Sequence, residues 1–174
     1  MPTIFTHTLV PIVLNQARKP EPRSRWVLVW GLFLSILPDL DSLSFAMGIA
    51  YGSQWGHRGF SHSLLVAAGF AGILACFRFH GWSRVQVWAF IFISMASHGL
   101  LDSLTDGGKG VALLWPWRHA RYFAPFRPIA VSPIGAHFFS ARAFEVLLSE
   151  LLWIGLPAVV LTIALRQSGR GKNH

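Results

Sequence analysis

Residues 88–104 read WAFIFISMASHGLLDSL, an apolar run that carries a histidine and a carboxylate close to its end. With the residues before it, the run 82–101 has the roughly 20 residues that a membrane-spanning helix needs. His98 and Asp102 stand four positions apart, so in a helix they share one face. Hydrocarbon cannot solvate such groups, which makes them candidates for a functional site. The pair can bind one metal ion or two adjacent ions, or it can form a hydrogen bond without any metal.

The composition of the whole chain also indicates a membrane protein. Of its 174 residues, 53% are hydrophobic and 13% are charged, whereas soluble domains carry about 25% charged residues. The length predicts a single domain over residues 1–174. The net charge of +8 does not indicate nucleic-acid binding, because the basic residues gather in short groups at 18–25, 78–84 and 166–172. Cys76 is the only cysteine, so no internal disulfide forms.

Four apolar runs predict an all-α integral membrane protein with about four transmembrane helices. The runs cover residues 26–49, 60–79, 82–101 and 146–165. A fifth run, 4–14, is too short to span the bilayer, and we expect a short half-depth helix there, which Pro11 weakens. No small-residue cleavage site follows it, so we interpret it as a retained helix rather than a signal peptide.

The short basic groups predict the orientation in the membrane. Positive charge in short loops marks the cytoplasmic side, which places both termini in the cytoplasm. Segments 50–59 and 103–145 are then outside. The longer of these is rich in glycine, proline and aromatic residues, so we expect an irregular extracytoplasmic cap there rather than a long helix.

Polar side chains on different runs are predicted to meet at one level of the bilayer. At a rise of ~1.5 Å per residue, Asp39, His62 and His98 all lie in the outer third of a hydrocarbon core about 30 Å thick. Glu150 enters from the outer side and lies about 8 Å below the outer end of its helix. His7, on the short N-terminal helix, lies slightly deeper. We therefore expect one site to which several helices contribute.

The stretch LPDLD at 37–41 supplies two carboxylates next to a proline. Pro38 removes a backbone hydrogen bond and bends or breaks the helix. Residues two apart do not share a helix face, so Asp39 and Asp41 reach one centre only if the helix is broken here. Otherwise one of the two caps the helix that continues.

The stretch HRGFSHSLL at 57–65 supplies two histidines. His57 precedes the second apolar run and His62 lies in its first turn. The pentapeptides SHSLL and SHGLL, at 61–65 and 97–101, place a small residue after each histidine, which leaves room for close helix packing. We interpret the remaining histidines as solvated or interfacial; they are His80, His119, His137 and His174.

The candidate ligands are imidazoles and carboxylates. They are His7, Asp39, Asp41, His57, His62, His98 and Asp102. This mixture favours zinc or manganese, and also iron, over calcium. The donors exceed the three or four protein ligands of a single ion, so two ions ~3.5–4 Å apart can share them and activate water for hydrolysis. Glu150, if it binds no metal, is the candidate general base.

The motifs HRGFSHSLL, LPDLD and SHGLLDSLTDGGKGVALLWPW together resemble the YdjM-like family of membrane-bound metal-dependent hydrolases. The resemblance extends from THT at 6–8 to SELLW at 149–153. It implies a multi-pass protein of the bacterial inner membrane, with a hydrolase activity inferred largely from the histidine and aspartate pattern. Carried over by position, it supports His57, His62, His98, Asp102, Asp39 and Asp41 as ligands. It implies no particular substrate.

Three functions fit these residues. A hydrolase would act on a phosphoester or other lipid-linked substrate from the outer leaflet, where Arg58, Lys109 and Arg118 either hold a phosphate headgroup or anchor the protein at the interface. A metal or proton transporter uses the same groups, but no comparable polar residues descend to the inner face. A structural metal would show closed coordination. The lipid bilayer is the expected partner in each case.

Overall fold

The regular secondary structure of the described residues is helical. The computed structural model describes residues 1–17, 22–133 and 142–170, so Arg18, Lys19, His137, Lys172 and His174 lie outside the described residues. The α-helices are α1 Ile4–Gln16, α2 Trp26–Ile36, α3 Leu64–Ala75, α4 Arg84–Ser103, α5 Arg142–Glu150 and α6 Leu156–Arg170. The described residues contain isolated β-bridges but no β-strand. The all-α fold expected from the apolar runs is confirmed.

Three helical segments are long and apolar enough to cross a membrane. They are Trp26–Phe45, Arg84–Ser103 and Arg142–Gln167. In the first, α2 continues as a 3-10 helix over Leu37–Phe45. In the third, α5 joins α6 through a π-helical turn at Leu151–Gly155. The transition after α2 begins next to Pro38, where the sequence predicts a break.

The apolar run 60–79 forms a shorter helix than expected. Only α3, of 12 residues, is α-helical, which gives a length of about 18 Å. Ser63 caps its start, since the Ser63 hydroxyl accepts a hydrogen bond from the Val66 amide, and Phe60–His62 form a separate 3-10 turn before it. Hydropathy does not reveal such a cap, so the apolar run 60–79 predicts a longer helix than the structure has. His62 accordingly precedes α3 rather than lying in its first turn.

The central helix of the bundle is α4, which packs against α1, α2 and α3. In a bilayer, helix association depends on close packing rather than on a hydrophobic driving force between the helices. Gly31 of α2 illustrates this, because a Cβ atom there would lie 2.5 Å from Cε1 of Phe90 on α4. The buried core comprises Val27, Leu34, Ala67, Ala71, Leu74, Val87, Phe90, Ile91, Met95 and Ala96.

The described members of the short basic groups lie at one end of the bundle, whereas Arg58 and Arg121 lie with the cap. The Ser24 amide donates to the His80 carbonyl at 2.9 Å, and Arg166 donates to the Gln16 side chain at 2.6 Å. Met1 lies at the other end, where its carbonyl accepts from the Ser132 amide at 3.0 Å. Since α1 runs from this level to Gln16, Met1 and Arg166 lie at opposite ends of the bundle. The prediction that both termini are cytoplasmic stays a prediction.

Residues 104–133 form the irregular cap expected from their composition. Two isolated bridges, Thr105 with Ile129 and Val111 with Tyr122, are the only strand-like pairing among the described residues. Arg121 fastens the cap to the 51–57 loop, because its guanidinium donates to the carbonyls of Tyr51, Ser53 and His57, each at 2.9 Å. The loop that carries His57 is therefore held against the cap.

Candidate metal centre

Four buried side chains bring potential metal ligands to one point. They are Asp39, His62, His98 and Asp102, and one ligand atom from each lies within 4.8 Å of the others. The Nε2 atom of His98 is 3.2 Å from Oδ1 of Asp39 and 3.1 Å from Nε2 of His62. The Nε2 atom of His62 is 3.4 Å from Oδ2 of Asp102. The structure thus brings together the three motifs that the sequence singled out, and we call these residues the quartet.

Local features of the sequence explain how the quartet forms. His98 and Asp102 share one face of α4 through their four-residue spacing. The 3-10 helix after Pro38 turns Asp39 toward them. Gly99 allows the His62 segment to approach α4, since a Cβ atom at Gly99 would lie 2.8 Å from the His62 carbonyl oxygen. The small residue after His98 therefore serves close packing, as the SHGLL pattern predicts.

Both quartet histidines are oriented through their other ring nitrogen. Nδ1 of His98 lies 2.7 Å from the carbonyl oxygen of Ser35 and must donate to it. Nδ1 of His62 lies 3.1 Å from Oδ2 of Asp41. When both Nδ1 atoms carry the proton, the Nε2 lone pairs face each other at 3.1 Å. Two facing lone pairs repel unless a proton or a metal ion lies between them.

Two neighbouring carboxylates determine the direction in which the pKa of His62 is shifted. Burial lowers the pKa of the His62 imidazole, but the contacts with Asp102 and Asp41 outweigh this effect and raise the pKa to about 9. The negative charge that favours a proton on His62 is the same charge that would attract a divalent cation. Metal ligands must be deprotonated, so a proton and a metal ion compete for this position.

The quartet carboxylates are poorly compensated by the protein itself. Neither oxygen of Asp39 or of Asp102 has a hydrogen-bond partner of suitable geometry among the described residues. Nε of Arg58 is 3.0 Å from Oδ2 of Asp102, yet the two atoms are not aligned as a hydrogen bond. We therefore treat this contact as an ion pair that offsets part of the charge. Unpaired carboxylates are costly to bury, and a divalent cation bound by the quartet would remove that cost.

His7 approaches the quartet from α1 and fits as a fifth donor. Its side chain is fully buried, and neither ring nitrogen has a hydrogen-bond partner in the described part of the chain. The ring stacks on His98 with a centroid distance of 3.7 Å. Its Nε2 atom is 3.9 Å from Asp102 and 4.0 Å from Asp39.

Asp41 and His57 lie behind the quartet rather than within it. The Asp41 carboxylate accepts hydrogen bonds from the Arg58 amide, at 3.0 Å, and from the Ser61 hydroxyl. It also lies 2.6 Å from Nδ1 of His57 and 3.1 Å from Nδ1 of His62. The group of mutually close donors does not include them, and direct ligation by Asp41 and His57 stays a prediction. A carboxylate that holds the far nitrogen of a ligand histidine orients the ring and raises its basicity, which is the arrangement of Asp41 with His62.

Arg58 contributes to the site in a way that the sequence analysis missed. It was interpreted as a residue of the outer surface, but it is fully buried. Its terminal nitrogens donate to the Gly107 carbonyl and the Thr105 hydroxyl, both at 3.0 Å. Its backbone has φ +61°, a left-handed conformation that costs a non-glycine residue roughly 1–2 kcal/mol. The sequence signal for a buried Arg58 was its position between the two histidines of HRGFSH at 57–62.

Glu150, the predicted general base, is the last residue of α5 and contacts the start of α1. Its carboxylate is buried rather than turned to lipid. It accepts hydrogen bonds from the amide and hydroxyl of Thr3, and from the Thr6 hydroxyl at 2.7 Å. Because Thr6 directly precedes His7, these contacts fix the part of α1 that reaches the quartet. A role of Glu150 in proton transfer stays a prediction. The other predicted polar residues are exposed, namely His80, Lys109, Arg118 and His119.

An apolar cavity leads to the quartet at Asp39. Its volume is about 570 Å³, and its walls include Ile4, Phe5, Phe33, Leu37 and Leu40. The Asp39 side chain is 10% exposed, whereas those of His62, His98 and Asp102 are fully buried. Asp39 is therefore the member of the quartet that an incoming molecule would meet first. We call this space the Asp39 cavity.

Comparison with known proteins agrees with this architecture. The family model described as YdjM inner membrane protein matches residues 1–172. The chain is similar to the inner membrane protein YbcI of Escherichia coli (strain K12), with 42% identity over 165 residues that cover 92% of this chain and 95% of that protein. No solved structure matches the chain.

Proposed function

The chain belongs to the YdjM inner membrane protein family, and on that premise we propose that it is a metal-dependent hydrolase of lipid-like phosphoesters. The observation that carries the proposal is the Asp39 cavity, an apolar space that ends at a group of buried imidazoles and carboxylates. An apolar approach selects a substrate with a hydrocarbon portion. The quartet would then meet the polar end of that substrate.

The quartet, with His7 as a fifth donor, fits a divalent ion such as zinc or manganese. Two imidazoles and two carboxylates match the donors that these ions prefer. A bound ion would polarise a phosphoryl oxygen and lower the pKa of water for hydrolysis. The described donors closest to one another suit one ion, and the expectation of two ions stays a prediction that His7 would help to fulfil.

The protein residues around the quartet have separate tasks in this proposal. Ser35 and Asp41 orient the two histidines through their Nδ1 atoms. Arg58 pairs with Asp102 and offsets part of its negative charge. The side chains of His62, His98 and Asp102 are fully buried, and this shielding from water strengthens electrostatic interactions at the site.

Transport and a purely structural metal are less well supported. Below the quartet, the described buried residues include Ser94 but no histidine or charged side chain, and the core from Leu34 down to Val27 is otherwise apolar. A structural site would be closed on all sides, whereas Asp39 borders an open cavity.

The test uses detergent-purified protein loaded with zinc or manganese and reconstituted into vesicles of phosphatidylethanolamine and phosphatidylglycerol. Mass spectrometry measures the released headgroups and the lipid products. We expect wild type and the exposed carboxylate control Glu145→Gln to hydrolyse lipid, and Asp39→Asn to be inactive. Wild-type protein with full metal content and no turnover of these lipids, or of soluble phosphoesters, would contradict the proposal.

A further inference from the structure

A second apolar groove lies on the other side of the LPDLD segment. Its volume is about 410 Å³, and its inner wall contains Asp41 and Ser61. Its outer wall contains Leu43, Met47 and Trp55, all of which are more than half exposed. We call this space the Asp41 groove. No step of the proposed reaction uses it.

The two spaces are separated by one structural element. Leu37 and Leu40 line both the Asp39 cavity and the Asp41 groove. In a 3-10 helix with 3.0 residues per turn, Asp39 and Asp41 point to different sides. Asp39 therefore lines the Asp39 cavity, and Asp41 lines the Asp41 groove. The Leu40 side chain, 57% exposed, forms the ridge between them.

The occupant of the Asp41 groove follows from its surroundings. Its exposed apolar side chains lie at the end of a membrane span, because Leu43 belongs to Trp26–Phe45 and Met47 follows directly after it. The same span carries the exposed Phe33 at the mouth of the Asp39 cavity. In a protein of the inner membrane, both mouths are thus continuous with the lipid-facing surface, and hydrocarbon chains are what that surface contacts.

From this geometry we infer that the site takes a lipid with two hydrocarbon chains that straddle Leu40. One chain lies in the Asp39 cavity and the other in the Asp41 groove. The headgroup is then placed over the edge of Asp39. This inference deepens the proposed function and rests on it for the identity of the reacting end, but the two-chain binding itself needs no turnover.

The experiment measures lipid binding by native mass spectrometry of the detergent-solubilised protein. The probes are dioleoyl phosphatidylglycerol and its one-chain counterpart, monooleoyl lysophosphatidylglycerol, at equal concentration. Leu43→Trp and, as a second variant, Met47→Trp narrow the mouth of the Asp41 groove at exposed positions. Val29→Trp is the control, because Val29 is exposed on α2 and lines neither space.

We expect wild type and Val29→Trp to bind the two-chain lipid at least about fivefold more tightly than the one-chain lipid. Both groove variants should reduce this ratio toward one while they retain the one-chain affinity. Equal affinity of wild type for the two lipids would overturn the inference. An equal loss of affinity for both lipids in the groove variants would also overturn the inference. It would indicate that the Asp41 groove binds a separate membrane lipid.

The outcomes separate the inference from the proposed function. A wild-type protein that prefers two-chain lipid, loses the preference in Leu43→Trp and hydrolyses nothing would refute the hydrolase and leave the inference standing. A protein that hydrolyses one-chain and two-chain lipids at equal rates, with equal affinity, would support the hydrolase and overturn the inference.

Discussion

Replacing Asp41 by asparagine distinguishes a carboxylate that binds the metal from one that orients a ligand. Asp41 receives hydrogen bonds from the Arg58 amide and the Ser61 hydroxyl and contacts Nδ1 of His57 and of His62. An asparagine keeps one oxygen in this position but loses the charge. His62 would therefore remain in place while its Nε2 atom becomes a weaker donor.

The expected loss of zinc affinity in Asp41→Asn follows from this geometry. Loss of a partner that orients a ligand histidine typically costs 10–100-fold in metal affinity, which corresponds to about 1.4–2.7 kcal/mol. Loss of a direct carboxylate ligand should be more severe and should abolish stoichiometric binding. We expect Asp41→Asn to bind zinc 10–100-fold more weakly, with the stoichiometry of wild type at saturation.

The assay is competition for zinc with a chromophoric chelator, combined with elemental analysis of the purified protein. Asp39→Asn serves as the direct-ligand comparison, and Glu145→Gln makes the same chemical change at an exposed carboxylate of α5. If Asp41→Asn lost all bound zinc as Asp39→Asn does, Asp41 would be a ligand and its assignment behind the quartet would be wrong. Unchanged affinity would show that Asp41 does not tune His62.

Further variants examine other parts of the same arrangement. Asp102→Asn should lower bound metal while circular dichroism still shows the helices, because the amide keeps the shape and loses the charge; unchanged metal content would remove Asp102 from the ligands. Glu150→Gln should lower thermal stability, since hydrogen bonds to a charged acceptor contribute about 1.5–3 kcal/mol each. Normal stability and normal metal content with a lost reaction rate would instead indicate a general base. In intact cells, an impermeant thiol reagent should label Lys109→Cys in a Cys76→Ser background and should spare the native Cys76, which is exposed at the opposite end of the bundle. Labelling of Cys76 alone would show that the orientation in the membrane is the opposite of the predicted one.

The depth of the polar groups was predictable because it depends on local geometry. A fixed rise per residue converts position along a helix into height, and this placed Asp39, His62 and His98 in one layer before any packing was known. The same local reasoning pointed to Pro38, where α2 changes to a 3-10 helix, and to the shared face of His98 and Asp102. The family assignment and the three spanning segments depend on equally local patterns of residues.

Hydropathy was less informative about where helices begin and end. The run 60–79 looked like a full span, but a serine cap and a 3-10 turn shorten α3 to 12 residues. The position of Met1 beside Ser132 also depends on a contact between distant parts of the chain. Charge counting over loops does not contain that information, so it could not predict that Met1 lies at the cap end.

The sequence by itself determined the class of protein, the layer of the site and the chemical nature of its ligands, because composition, helical rise and side-chain type are properties of short segments. Only the tertiary structure decided that Asp39 belongs to the quartet while Asp41 lies behind it, that Arg58 is buried against Asp102, and that Glu150 binds the start of α1. These outcomes depend on the rotation of each helix about its axis and on contacts between distant segments. Both are set by how side chains of different helices pack together, and no single segment specifies them.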